Sequence, residues 1–236
     1  MILYFKKICY LLLSSIILLH SNIARPRVAY CENPPEITHY PQICLTFDDG
    51  PTHITESILD TLKSFDVKAT FFVVGKNVQK HPDILKRIFS EGHTVGIHTF
   101  SHEYKKIYSS PTALTEDINA CLRAIKAVNG NYTAKYYRFP GGSFNLSNNL
   151  LAVPEKFGLT YVDWNAACRD SEITPHSPDD LTQCAITTAA GKNRIIMLLH
   201  DAADKHMTAL ALPDIINNFK EKSFSFTTVE KVVKIS

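Results

Sequence analysis

Short runs that are apolar at nearly every position recur along this chain, separated by stretches with helical spacing. The clearest is RIIMLLHD (194–201), an apolar run that ends in two polar residues. A strand with no polar face must be covered on both sides, which is the situation of a parallel sheet sandwiched by helices. The same reading makes strands of QICLTF (42–47), ATFFVV (69–74), TVGI (94–97), KYYRF (135–139) and LTYVDW (159–164). Between them lie helical patterns. ITESILDTLKSF (54–65) puts Ile54, Ile58, Leu62 and Phe65 on one face, and PDILKRIFSEG (82–92) has proline near its start and Gly92 at its end. Ser110 is a candidate N-cap for 110–128. The stretch 148–158 is helical but should break at Pro154, and helices are also expected over 178–190 and 206–220. Strand–helix alternation of this kind predicts about seven parallel βα units, with a distorted (β/α) barrel of about seven parallel strands favoured over an open sheet.

The chain has 236 residues, 45% apolar and 20% charged, with a net charge of +2. It has no basic run interleaved with aromatics, which excludes a nucleic-acid protein, and no Gly-rich phosphate loop or internal repeat. Lys6 and Lys7 precede an apolar run of 12 residues, Ile8 to Leu19. That pattern reads as an export signal or an N-terminal membrane anchor over 1–24, and it is short for a membrane span. The proline-rich stretch 25–41 reads as a linker, leaving 42–236 as one domain, secreted or held at the cell envelope and expected to be monomeric. Of six cysteines, Cys9 lies in the leader; Cys168 and Cys184 are either a bridge or two thiols.

In parallel α/β folds, chemistry gathers where the strands end. Here the first strand runs into Asp48–Asp49 and the third into His98, with His102 four residues on. Later strands end at Arg138, lead through Trp164 to Asp170, or stop at His200–Asp201. In a helical turn, His98 and His102 would face one side. Two imidazoles and one carboxylate make a three-ligand set with open positions, suited to Zn²⁺ or another divalent ion such as Co²⁺, Ni²⁺ or Mn²⁺. One of the paired aspartates would supply the carboxylate, and the other would be free as a base.

The ordered set TFDDGP (46–51), HTFSH (98–102), RFPGG (138–142) and LLHD (198–201) resembles the polysaccharide deacetylases, the carbohydrate esterases with a NodB-homology domain. The resemblance extends over roughly 42–230. It implies a metal-dependent enzyme that removes N-acetyl groups from a GlcNAc-containing polysaccharide, with peptidoglycan as the first expectation. Chito-oligosaccharides or acetylxylan are the alternative substrates, and a non-catalytic glycan-binding relative is the contrasting class. By the same resemblance Asp49, His98 and His102 hold the metal, Asp48 is the general base and Arg138 orients it. His200 is the general acid, with Asp170 as its partner. Gly141 lends a backbone N–H to the oxyanion, Leu198 lines the acetyl methyl, and Pro140 and Trp164 belong to the substrate-facing set.

Three departures stand out. Gly141 replaces the aromatic residue that often follows R-x-P in this family, and Phe144 or Tyr137 is a candidate substitute. Ala167 and Ser171 depart from the usual pattern after the tryptophan, which makes Asp163 a rival to Asp170. Ile97 stands before His98 where Asn or Ser is common.

Overall fold

The computed structural model describes residues 28–29 and 40–232. The expected leader lies outside them, as does most of the linker. Among the described residues no helix is long and apolar enough to cross a membrane.

Among the described residues nine strands form one sheet: β1 Val28–Ala29, β2 Gln42–Asp48, β3 Thr70–Val73, β4 Thr94–Ile97, β5 Tyr136–Tyr137, β6 Thr160–Val162, β7 Ala166–Ala167, β8 Arg194–His200 and β9 Ser225–Thr227. Every pairing is parallel, and the order is β1-β6-β5-β4-β3-β2-β8-β7, with β9 added beside the start of β2. Strands β2 to β8 are the seven of the expected distorted barrel. The sheet curls, and its closing seam is made by one stretch of chain. Thr160 and Tyr161 pair with β5, and four residues after the end of β6 Ala166 and Ala167 pair with β8. Asn165 bridges the seam by copying a strand: its side-chain amide donates to Arg194 O at 2.9 Å and its amide oxygen accepts from Ile196 N–H at 2.9 Å.

The helices are α1 His53–Ser64, α2 Gly75–Lys80, α3 Pro82–Ser90, α4 Tyr104–Ile107, α5 Pro111–Val128, α6 Asn148–Leu151, α7 Pro178–Ala189, α8 His206–Glu221 and α9 Val229–Val232. Ser110 caps α5 as expected, its Oγ accepting from Ala113 N–H at 3.1 Å. The pattern over 148–158 breaks near Pro154: α6 ends at Leu151, and a 3₁₀ turn covers Pro154–Phe157. Pro213 sits inside α8 without ending it.

Strand parity decides what faces where. On β2, Ile43, Leu45 and Phe47 join the main core under the helices. Cys44 joins a second cluster with Phe72, Tyr136, Val162, Ile196, Val229 and Val232, which fills the inside of the curl. Side chains alternate along a strand, so Thr46 and Asp48 share the face of Cys44, and Leu198 and His200 share that of Ile196. The barrel interior is therefore apolar at the bottom and polar at the top, where β2 and β8 end. Cys168 and Cys184 are thiols, with no bridge between them.

Candidate active site

Asp48 ends β2 and His200 ends β8, and the two are register partners on neighbouring strands. Adjacent parallel strands lie about 4.8 Å apart, so the sheet itself fixes the spacing of these two groups. Asp48 is buried, 2% exposed. Arg138, fully buried, holds it with Nη1 donating to Asp48 Oδ1 at 2.9 Å and to Thr46 Oγ1 at 2.6 Å. The rest of the guanidinium is satisfied by Val162 O at 2.9 Å and Asp163 O at 3.3 Å, and it stacks 4.2 Å over Phe72. Burial pushes the Asp48 carboxyl above its ordinary range, against the opposing pull of Arg138 and then His200. A carboxylate so placed is a better proton acceptor than a solvated one.

Asp49, His98 and His102 converge, with one ligand atom from each within 4.8 Å of the others. His102 Nε2 is 3.1 Å and His98 Nε2 3.6 Å from Asp49 Oδ1. His98 Nδ1 lies 2.8 Å from Arg138 O, and a carbonyl only accepts, so Nδ1 carries the proton and Nε2 presents a lone pair to Asp49. Burial keeps this imidazole neutral, pushing it down to about 3 against the pull of Asp49. Asp49 Oδ1 is itself buried with no hydrogen-bond partner. A lone pair facing an unpartnered carboxylate oxygen is unfavourable unless a cation lies between them, so the residues fit a divalent metal.

The route to this convergence differs from the helical turn expected of His98 and His102. Residues 98–102 form an irregular loop in which Thr99 has φ +72° and His102 φ +57°. Asp117 of α5 braces it, accepting from Phe100 N–H at 2.5 Å, from Ser101 N–H at 3.1 Å and from Ser101 Oγ at 2.7 Å. Asp49 (φ +80°) and Arg169 (φ +65°) also take left-handed backbone. Four of the six non-glycine residues with positive φ are thus site residues or their immediate neighbours, which is where a fold tolerates strain.

His200 Nδ1 is 2.7 Å from Asp170 Oδ1, and the His200 backbone N–H donates to Asp170 Oδ2 at 2.8 Å. Thr208 Oγ1 completes the carboxylate at 2.8 Å. Burial disfavours the imidazolium, but the bond to Asp170 and the charges of Asp170, Asp48 and Asp49 outweigh it and hold His200 up to about 9. For Asp170 burial likewise opposes ionisation, and its hydrogen bond to His200 prevails, so its carboxyl sits below the usual range. Asp163, the rival for this role, is occupied elsewhere: it accepts from Ser143 N–H at 3.1 Å and, by a short bond, from Ser143 Oγ. Ala167 is buried in β7 with its backbone on Thr188 Oγ1, and Ser171 is exposed beyond the pair, so neither departure touches the His200–Asp170 contact.

Gly141 and Gly142 turn with φ +74° and +82°, and the Gly141 N–H makes no hydrogen bond among the described residues. Tyr108 Oη donates to Pro140 O at 2.7 Å and steadies this turn. Leu198, 6% exposed, lies on the interior face beneath His200. Of the two candidate replacements for the missing aromatic, Tyr137 is fully buried and cannot reach a ligand. Phe144 is 61% exposed and meets Trp164 edge-on at 5.8 Å.

Asp201 was legible only as a polar residue after His200. It is fully buried, accepting from Gly50 N–H at 2.8 Å and Thr55 Oγ1 at 2.6 Å, while its carbonyl accepts from Thr52 Oγ1 at 2.6 Å. Its own N–H donates to Asp48 O at 3.0 Å. These bonds fasten the end of β8 to the loop carrying Asp48 and Asp49. Burial, then Asp49 and Asp48, raise its carboxyl to about 7 against the bond from Thr55.

A curled parallel barrel carries at its strand ends a buried Asp–Arg pair, a His–Asp pair and a two-histidine, one-aspartate cluster, the groups that a metal-dependent hydrolase would need. The polysaccharide deacetylase family profile matches residues 36–162, and the chain belongs to that family. It is 32% identical over 189 residues to a peptidoglycan-N-acetylglucosamine deacetylase of Bacillus cereus, covering 77% of this chain and 67% of that one. It is equally 32% identical over 195 residues to chitin deacetylase 1 of Saccharomyces cerevisiae, covering 80% of this chain and 62% of that one. Among solved structures, the catalytic domain of a peptidoglycan N-acetylglucosamine deacetylase from Eubacterium rectale superposes with a TM-score of 0.76 at 31% identity, covering 89% of this chain and 94% of that one.

Proposed function

We propose that this protein removes N-acetyl groups from a GlcNAc-containing polysaccharide, peptidoglycan first, and that it works outside the cell membrane after export. The observation that carries the reading is the register pairing of Asp48 with His200 beside the Asp49–His98–His102 cluster. A divalent ion, Zn²⁺ in this reading, held by those three side chains supplies a Lewis acid for the acetamide carbonyl and makes water more acidic.

The chain's own groups divide the remaining work. Asp48 Oδ1 is tied to Arg138, leaving Oδ2 to take the proton of the attacking water. The Gly141 N–H donates to the carbonyl oxygen as negative charge builds there. His200, protonated at neutral pH, gives its Nε2 proton to the departing nitrogen, while Asp170 holds Nδ1–H and so fixes the ring. Leu198 closes the acetyl end of the site. Buried Arg138 offsets the repulsion between neighbouring Asp48 and Asp49, and a bound cation offsets the rest.

Peptidoglycan is favoured by the named activities of the Bacillus and Eubacterium relatives, and the yeast relative makes chitin oligosaccharides the second reading. The test is acetate release from N-acetylated peptidoglycan, chitin oligosaccharides and acetylxylan by metal-stripped and Zn²⁺-reloaded protein. Metal-dependent release from peptidoglycan is the expected result. Metal and glycan binding with no release from any substrate would replace it with the glycan-binding relative.

A further inference from the structure

Tyr104 has no part in the scheme above, yet it stands over it. It opens α4, directly after the loop that carries His98 and His102, and is 46% exposed. Its ring meets the His102 imidazole edge-on, at 5.3 Å and 89°, and also meets the Tyr108 ring at 5.9 Å. Tyr108 in turn bonds Pro140 O. Tyr104 also lies against Gly141: a Cβ added there would come 3.1 Å from its Cε1 and 3.4 Å from its hydroxyl. The next glycine faces a different aromatic pair, since a Cβ on Gly142 would meet Phe144 at 2.7 Å and Trp164 at 3.2 Å.

Four large hydrophobic side chains are exposed among the described residues, and two of them, Tyr104 and Phe144, abut this one Gly-Gly turn. Large exposed rings cost solvation unless something covers them, and a pyranose presents a flat C–H face that an aromatic ring can cover. A side chain at 141 would crowd the Tyr104 ring, and the φ of +74° already disfavours one. The bare glycine and the tyrosine therefore go together: the aromatic surface that position 141 cannot supply comes from α4 instead.

We propose that Tyr104 is a specificity-determining residue that stacks on the sugar whose acetamide is cleaved, with exposed Phe144 extending this surface toward the neighbouring sugar. This rests on the polysaccharide reading of the site. Because Tyr104 is half exposed, its removal should leave the fold intact, which makes a clean test available.

The experiment uses the Asp48→Asn background, so that the sugar is bound and not consumed. Chitotetraose is titrated into Zn²⁺-loaded protein and read by the fluorescence of Trp164, the only tryptophan. Tyr104→Ala should weaken binding about fivefold to tenfold while Zn²⁺ stoichiometry stays at one, and Tyr104→Phe should bind within about twofold of the parent. Equal affinity in Tyr104→Ala overturns the proposal. So does loss of Zn²⁺ alongside loss of sugar, which would make the ring a prop for His102, and so does a parent that binds no tetrasaccharide. Acetate release by the wild type is measured in parallel. If release is absent but Tyr104-dependent binding persists, the hydrolytic reading fails and the stacking role stands.

Discussion

Replacing Asp170 with asparagine removes a charge while keeping an oxygen able to accept from His200 Nδ1. In the native pair that contact is 2.7 Å and His200 is held up to about 9, from an ordinary 6.5. The difference corresponds to about 3 kcal/mol of preference for the imidazolium. The remaining influences in the variant are burial, which lowers the group, and the charges of Asp48 and Asp49, which raise it. Losing one opposite charge in contact shifts such a group by about one to three units, and toward the upper end of that range His200 falls back to near its ordinary value. At pH 7.5 the protonated fraction would fall from about 97% to about 10%. NMR titration of the His200 ring in metal-free protein reads this directly, and the basic limb of the pH–rate profile should move down by the same amount. Activity should be nearly retained at pH 6 and lost about tenfold at pH 7.5. Stability follows with the opposite pH sense for the two partners. The raised His200 contributes fully below pH 6.5 and loses its contribution as pH rises through about 9. The lowered Asp170 contributes above its ordinary range and loses that as pH falls through its folded value. The variant should therefore be most destabilised between those limits. A His200 that titrates at the same pH in both proteins would refute the coupling.

Three further outcomes follow from the geometry. Arg138→Met strands the buried Asp48 carboxylate and should cost about 3–5 kcal/mol in urea unfolding at neutral pH, with activity lost. Gly50→Ala would place a Cβ 2.0 Å from Asp201 Oδ2, breaking the link between β8 and the Asp48–Asp49 loop, and should cost at least about 1–3 kcal/mol by thermal melting. Excess Zn²⁺ should stabilise the wild type by about 2.7 kcal/mol at a hundredfold over its Kd, and His102→Ala should abolish that increment.

Much of the fold was legible because a both-face-buried strand leaves an unmistakable apolar run, and 194–200 is one. The seam at 160–167 was not, because a change of partner between β5 and β8 depends on Asn165 copying a strand with its side chain, and no periodicity marks that. The residues at the strand ends were legible because parity and position put them there: Asp48 and His200 occupy matching places in two parallel strands. What escaped were the supports. Asp117 looks like any polar residue in an amphipathic helix, and only the folded chain brings it to the loop of His98 and His102. That loop is irregular where a helical turn was expected, since the two imidazoles are aimed by left-handed backbone at Thr99 and His102 and not by helical spacing. Thr208 and Asp201 act through contacts 38 and 151 residues away in the chain, which local pattern cannot reveal.

The most direct test of the central claim compares wild-type protein with Asp48→Asn, each matched for bound Zn²⁺, in acetate release from a GlcNAc oligomer. Asp49, His98 and His102 are untouched in the variant, so metal content should be equal while the rate falls by about a hundredfold or more. Equal metal and an equal rate would contradict the assignment of Asp48 as the base and, with it, the division of labour between the two adjacent aspartates.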